Sequence, residues 1–131
     1  MFGGWVSIPG YSAAGEAGDL WEWDGSHWTQ LQGAGPKPRT QATMAYDPVS
    51  KRAMLFGGAV FDPAAGTLSA PIRQSDTWAW DGSQWTQLDA AGPLSASNWS
   101  SPFETMAFDP VSQSMLLVTA DPWDAAHRSQ T

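Results

Sequence analysis

Two stretches of this chain are nearly the same sequence. Trp21-Glu22-Trp23-Asp24-Gly25-Ser26-His27-Trp28-Thr29-Gln30-Leu31 returns as Trp78-Ala79-Trp80-Asp81-Gly82-Ser83-Gln84-Trp85-Thr86-Gln87-Leu88, with nine identities in eleven at a spacing of 57 residues. A second unit, Thr43-Met44-Ala45-Tyr46-Asp47-Pro48-Val49-Ser50, returns as Thr105-Met106-Ala107-Phe108-Asp109-Pro110-Val111-Ser112 at a spacing of 62. A third, Met54-Leu55-Phe56-Gly57-Gly58, is echoed by Met1-Phe2-Gly3-Gly4 and more faintly by Met115-Leu116-Leu117-Val118-Thr119-Ala120. A period of about 50 to 60 residues means repeated supersecondary units that bury their apolar faces against one another.

Each unit reads as strands and turns. Trp78 and Trp80 fall on one face of an extended segment, and Asp81-Gly82 supplies a tight turn into the alternating Trp85-Thr86-Gln87-Leu88, which predicts a β-hairpin. Met44-Ala45-Tyr46 and Arg52-Ala53-Met54-Leu55-Phe56 predict two more strands around Asp47-Pro48-Val49-Ser50-Lys51, where Pro fixes φ and Asp bonds the backbone ahead. Gly57-Gly58 then marks a place of positive φ or close backbone approach. Four strands per period follow, with breaks at the Gly/Pro-rich segments 33–38 and 92–102.

Composition removes several alternatives. Gly and Pro supply 23 of the 131 residues, too many turns for a helical bundle. Leu, Ile, Val and Phe number only 20, yet nine Trp and five Met provide apolar surface that a disordered chain lacks. No apolar run approaches the roughly 20 residues of a membrane-spanning helix, so membrane insertion is not expected, and the first residues lack the basic and apolar regions of a signal peptide. With six Lys and Arg against 13 Asp and Glu the net charge is −7, which disfavours nucleic acid as a partner. Absence of cysteine excludes disulfides, thiolate metal sites and a Cys nucleophile.

Four-stranded units of this length, with a di-glycine after the second strand and a Trp in the fourth, resemble the kelch repeat of β-propellers, as in galactose oxidase-like proteins. The matching residues are Gly57-Gly58 and Gly3-Gly4, Trp85 and Trp28 in the fourth strand, Trp80 and Trp23 in the third, and Pro36-Lys37-Pro38-Arg39 leading into the next unit. Thr119-Ala120 in place of a di-glycine, and the lack of an Arg equivalent to Arg39 in 94–103, weaken the last copy. The WD40 repeat and the sialidase Asp-box fit less well, in period and in spacing respectively. The fold the resemblance implies is all-β, a kelch-type propeller segment of four-stranded antiparallel blades forming a partial ring. Residues 1–39 would hold the second half of a blade (strands three and four, about 19–31) and a linker, 40–88 a complete blade, and 89–131 a linker, the first half of the next blade (about 104–119) and a tail.

About two blades fall short of the four to eight of a closed propeller. The expectation is a fragment of a longer multi-repeat chain, with its remaining blades in cis. The rival is identical chains in trans, three of them sharing half-blades to close six; Asp121-Pro122-Trp123-Asp124, which reads as another third strand, would compete with the incoming hairpin.

The recurring Trp residues are packing positions by their period, whereas Trp5, Trp99 and Trp123 lie outside the repeated units. The second-to-third loop (59–75) and the fourth-to-first linkers (33–39 and 89–103) fall on one rim, and long loops carry function. Arg39, Phe61, Asp62, Arg73 and Trp99 are the candidate binding residues for a protein or carbohydrate ligand, although in kelch repeats the position of Arg39 usually packs between blades. Catalytic residues are not evident. A galactose oxidase-like copper site needs Cys and paired His, whereas this chain has only His27 and His127, so no cofactor or metal is implied. The turn aspartates 24, 47, 81 and 109 form turns by their period. A non-catalytic interaction scaffold is the expected function; the alternative is a propeller enzyme, oxidase or glycan hydrolase, whose catalytic residues lie outside this segment. Chains of this repeat style are often exported, so the resemblance points to an extracytoplasmic parent.

Overall fold

The computed structural model describes residues 1–7, 14–60, 71–93 and 104–119, and they are all β and irregular structure, without a helix. The strands are β1 (Phe2–Ser7), β2 (Ala14–Trp23), β3 (Trp28–Leu31), β4 (Thr43–Asp47), β5 (Arg52–Phe56), β6 (Ala59–Val60), β7 (Ile72–Arg73), β8 (Thr77–Trp80), β9 (Trp85–Asp89), β10 (Glu104–Asp109) and β11 (Ser114–Thr119). They form a central antiparallel sheet ordered β4-β5-β8-β9, a sheet β1-β2-β3, a hairpin β10-β11 and a short ribbon β6-β7. Among the described residues the strands do not close into a ring.

The hairpins follow from local chemistry. At the β4-β5 turn the Asp47 carboxylate accepts from Val49 N–H and the Ser50 hydroxyl, and Lys51 takes φ 57°. The β10-β11 turn repeats this, with Asp109 accepting from Val111 and Ser112 and Gln113 at φ 54°. In the Trp hairpins the expected turn between Trp80 and Trp85 is the four-residue loop 81–84, held by Asp81 Oδ1, which accepts from the backbone N–H of both Ser83 and Gln84. Those bonds hold the Asp81 carboxyl down at about 2. Asp24 does the same for Ser26 and His27.

Two strand extensions exceed the sequence expectation. β2 begins at Ala14 rather than near 19, and β1 pairs along it through Trp5↔Glu16 and Val6↔Gly15. Likewise the long segment after Gly58 continues as a ribbon, with Ala59↔Arg73 and Val60↔Ile72. The N-terminal part is therefore three-stranded, with β1 beside β2 as β5 lies beside β8.

Register sorts the side chains into faces. Phe2, Leu20 and Leu31 share one face of the first sheet through the pairs Phe2↔Leu20 and Leu20↔Leu31. That face meets the central sheet: Phe2 packs edge-on to Trp85 at 5.5 Å, and Leu20 is buried. Trp85 and Trp80 pair across β8 and β9 at 5.6 Å, with the linker glycines Gly33 and Gly35 lying on their rings. A Cβ at Gly35 would clash with the Trp85 indole, so no other residue fits there. The opposite face of the central sheet carries Thr43 and Phe56 and meets the C-terminal hairpin, where Met106 N–H donates to Thr43 Oγ1 at 3.0 Å.

Leu55, paired with Met44 on one side and Trp78 on the other, is fully buried. Leu55→Ala is expected to destabilise the fold by about 2–5 kcal/mol, read as a lower urea midpoint at unchanged m-value. At Gly58, with φ +95°, a Cβ would stand 2.6 Å from the Thr40 carbonyl, so Gly58→Ala should also lower the midpoint.

Candidate functional site

The candidate rim gathers at the end of the central sheet where β5 and β8 give way to the ribbon β6-β7. Three separate segments meet there. Thr40 exchanges backbone hydrogen bonds with Ala59 at 3.0 and 2.8 Å, Gly92 N–H donates to the Ser75 carbonyl at 2.7 Å, and Gln74 N–H donates to the Gly58 carbonyl at 2.9 Å. The second-to-third segment and both linkers thus converge at one end, as the sequence arrangement predicts.

Arg39 lies within this junction and is 1% exposed. Its guanidinium grips Asp76 with two bonds, Nη1 to Oδ1 at 2.5 Å and Nη2 to Oδ2 at 3.0 Å, while Nη1 also donates to the Gly57 carbonyl at 2.9 Å and Nε to the Lys37 carbonyl at 3.1 Å. Its backbone joins the first sheet, since Arg39 N–H donates to Ala17 O and Arg39 O accepts from Gly4 N–H, each at 3.1 Å. The side chain is therefore turned into the fold and is not offered to a ligand. Asp76 also accepts from Trp78 Nε1 at 2.7 Å. Burial pushes the Asp76 carboxyl up, but the bonds from Arg39 and Trp78 and the Arg39 charge outweigh it and hold the group below its ordinary value. The first sheet repeats half of this motif, with the Trp21 indole N–H donating to Asp19.

Arg73 is half-buried on β7. Its Nη1 donates to Gln41 Oε1 at 3.3 Å, whereas Nη2 is buried without a hydrogen-bond partner. Glu104, at the start of β10, directs Oε2 onto Gly57, where it is also buried and unpaired; a Cβ on Gly57 would come within 2.5 Å of that oxygen. Burial raises the Glu104 carboxyl above its ordinary value, opposed by the Arg73 charge and a backbone hydrogen bond from Gly58. The two charges sense each other without touching, because Arg39–Asp76 is the only ion pair within 4.0 Å among the described residues. Phe61, Asp62 and Trp99 lie outside the described residues, as do Trp123 and His127.

The structural-motif residues fall into two environments. Gly3, Gly4, Gly57 and Gly58 all have positive φ, from 66° to 126°. Trp80 is 8% exposed, whereas its counterpart Trp23 is 49% exposed and Trp28, which tilts against Trp23 at 5.4 Å, is 54% exposed. Leu20, Leu31, Trp23 and Trp28 of the first sheet and Met44, Ala53 and Trp80 of the central sheet line an open cleft of about 300 Å³. Among the described residues no three His, Cys, Asp or Glu side chains converge to hold a metal ion.

Sequence reasoning missed Asp76, Gln41 and Glu104. Asp76 alone carried a signal, the Asp-x-Trp pattern at 19–21 and 76–78. No protein-family model matches the chain, and no curated protein matches it.

Breaking the buried pair from either side leaves an uncompensated charge. Asp76→Asn is expected to cost about 3–5 kcal/mol by denaturant titration at pH 7. Because the folded-state carboxyl titrates below its ordinary 3.8, the stability Asp76 provides is complete above that pH and disappears as pH falls through the lower folded value. Wild type and Asp76→Asn should therefore converge in stability below that window.

Proposed function

We propose that this chain is a section of a kelch-type β-propeller that serves as a non-catalytic interaction scaffold, binding a protein or glycan through its rim. The observation that carries the reading is the convergence of the β6-β7 ribbon with both linkers at one end of the central sheet. Strand order supports the propeller part: β4-β5-β8-β9 is a four-stranded antiparallel unit, and β1-β2-β3 reproduces its last three strands.

Arg39 leaves the set of ligand-contacting residues, since its donors are spent on Asp76, Gly57 and Lys37. Its part is to hold the rim in shape. Arg73 remains, at the base of the ribbon beside the exposed Ile72, and Phe61, Asp62 and Trp99 complete the proposed contact set. The remaining blades come in cis from a longer chain or in trans. The shared half-blade arrangement of three identical chains meets an obstacle, because β1 already occupies the place beside β2 that an incoming β11 would need.

Screening the chain on glycan and extended-peptide arrays tests the reading. Arg73→Ala and Trp99→Ala should each weaken a captured ligand about tenfold, the loss of one charge-assisted or stacking contact. Binding at full strength by both variants would sink the rim assignment.

A further inference from the structure

The two Trp hairpins differ at two places only, and one of them lies in the gap between sheets. Glu22 stands where the second copy has Ala79, and His27 where it has Gln84. Register puts Glu22 on the face of Leu20 and Leu31, because the pairs Leu20↔Leu31 and Glu22↔Thr29 are two residues apart along the hairpin. That face is the one turned to the central sheet. Ala79 holds the same place in the central sheet, paired with Met54 and Thr86 on the face that meets the C-terminal hairpin, and there it is 1% exposed. Glu22 is exposed and lines the cleft of about 300 Å³. Equivalent positions are closed in one junction and open in the other, and the open one carries a carboxylate.

The cleft opens between two sheets that touch through Phe2 and Trp85, at the Ala53↔Trp80 end of the central sheet and away from the Phe56↔Thr77 end where the rim gathers. Its volume suits a small ligand. Glu22 is the one ionisable side chain on its lining among the described residues; the others are aliphatic, thioether or indole. Met1 also lines it, with its ammonium donating to the Trp21 carbonyl at 2.8 Å. Trp23 and Trp28, the last pair before the turn 24–27, add indoles to that of Trp80. Indole attracts a cation through its ring quadrupole more strongly than any other side-chain ring, and a carboxylate adds its own charge. A sugar needs several hydrogen-bond partners, which Leu, Met and Ala do not supply, and a primary ammonium would leave donors unmet beside a single carboxylate. A quaternary ammonium has no N–H to satisfy and buries its methyl groups on apolar surface.

We propose that this cleft binds a quaternary ammonium group, held by the indoles of Trp23, Trp28 and Trp80 with Glu22 as its counter-charge. The site is separate from the rim and does not rest on the rim's reading. The net charge of −7 favours the approach of a cation. Replacement of Ala by Glu at the one gap-facing position where the two hairpins differ is what turns an apolar opening into a cation site.

The test is an NMR titration that follows the methyl resonance of tetramethylammonium against the whole chain, with neopentyl alcohol as a neutral probe of similar shape. Glu22→Gln and Trp23→Ala are compared with wild type, with circular dichroism on each; both positions are exposed, and Glu22→Ala serves should Glu22→Gln alter the spectrum. Tetramethylammonium should saturate the wild type, and each variant should bind it about fivefold more weakly, the loss of one exposed cation–π or charge contact. Choline and a peptide bearing trimethyl-lysine then separate the two carriers of the group, a free ion and a modified side chain: tighter binding of either supports the site and names its source. Three results would each overturn the proposal: a tetramethylammonium signal that never saturates; neopentyl alcohol bound as tightly as the cation, as a merely apolar slot would do; or Glu22→Gln binding the cation at full strength.

Discussion

One buried guanidinium organises the junction between the first sheet and the second. Taking Arg39 and Asp76 out of water is costly, and the pair is tolerable only because nearly every hydrogen-bonding group on it is met. Asp76 takes both nitrogens in a fork and adds the Trp78 indole, and the remaining Arg39 donors find the Gly57 and Lys37 carbonyls. That requirement dictates its surroundings. The chain must turn at Gly57 with φ 66° for the carbonyl to face the guanidinium, and the backbone of Arg39 must sit where Gly4 and Ala17 can bond it. Side chain and main chain of one residue thereby tie two sheets together.

Around that pin, packing is one-sided and repeated. Trp80 is buried and Trp85 half-buried in the central sheet, whereas Trp23 and Trp28 are exposed in the first, although local sequence and hairpin geometry are nearly identical. Local sequence therefore fixes the hairpin, while burial is decided by whether a neighbouring unit lies on its face. The linker glycines belong to this second level, since Gly33 and Gly35 let the chain pass directly over the Trp80 and Trp85 rings.

The all-β class, the four strands of the central sheet and the meeting of the linkers at one end were all legible in the residues. Their signals are local and strong: Trp-x-Trp alternation, Asp-Pro and Asp-Gly turns, and the di-glycine after β5. The extension of β2 back to Ala14 and the β6-β7 ribbon were not legible, because segments such as Ala59-Val60 and Ile72-Arg73 are too short to show a period of two. The Arg39–Asp76 pair spans 37 residues and belongs to no contiguous motif. Arg73 was named from the sequence, but the approach of Glu104 to it was hidden likewise, as burial at a junction is a property of two units and not of either sequence.

The aspartate turns also bear on how such a chain reaches its structure. Asp24, Asp47, Asp81 and Asp109 each bond amides only two or three residues ahead, so the four hairpins they turn can close through contacts within a dozen or so neighbours. Short loops close at little entropic cost and in about microseconds, whereas the Arg39–Asp76 contact must wait for a much longer loop. The order of events follows from those separations. Hairpins arise first and independently, and sheet-to-sheet docking, with its buried ion pair, comes last and commits the assembly.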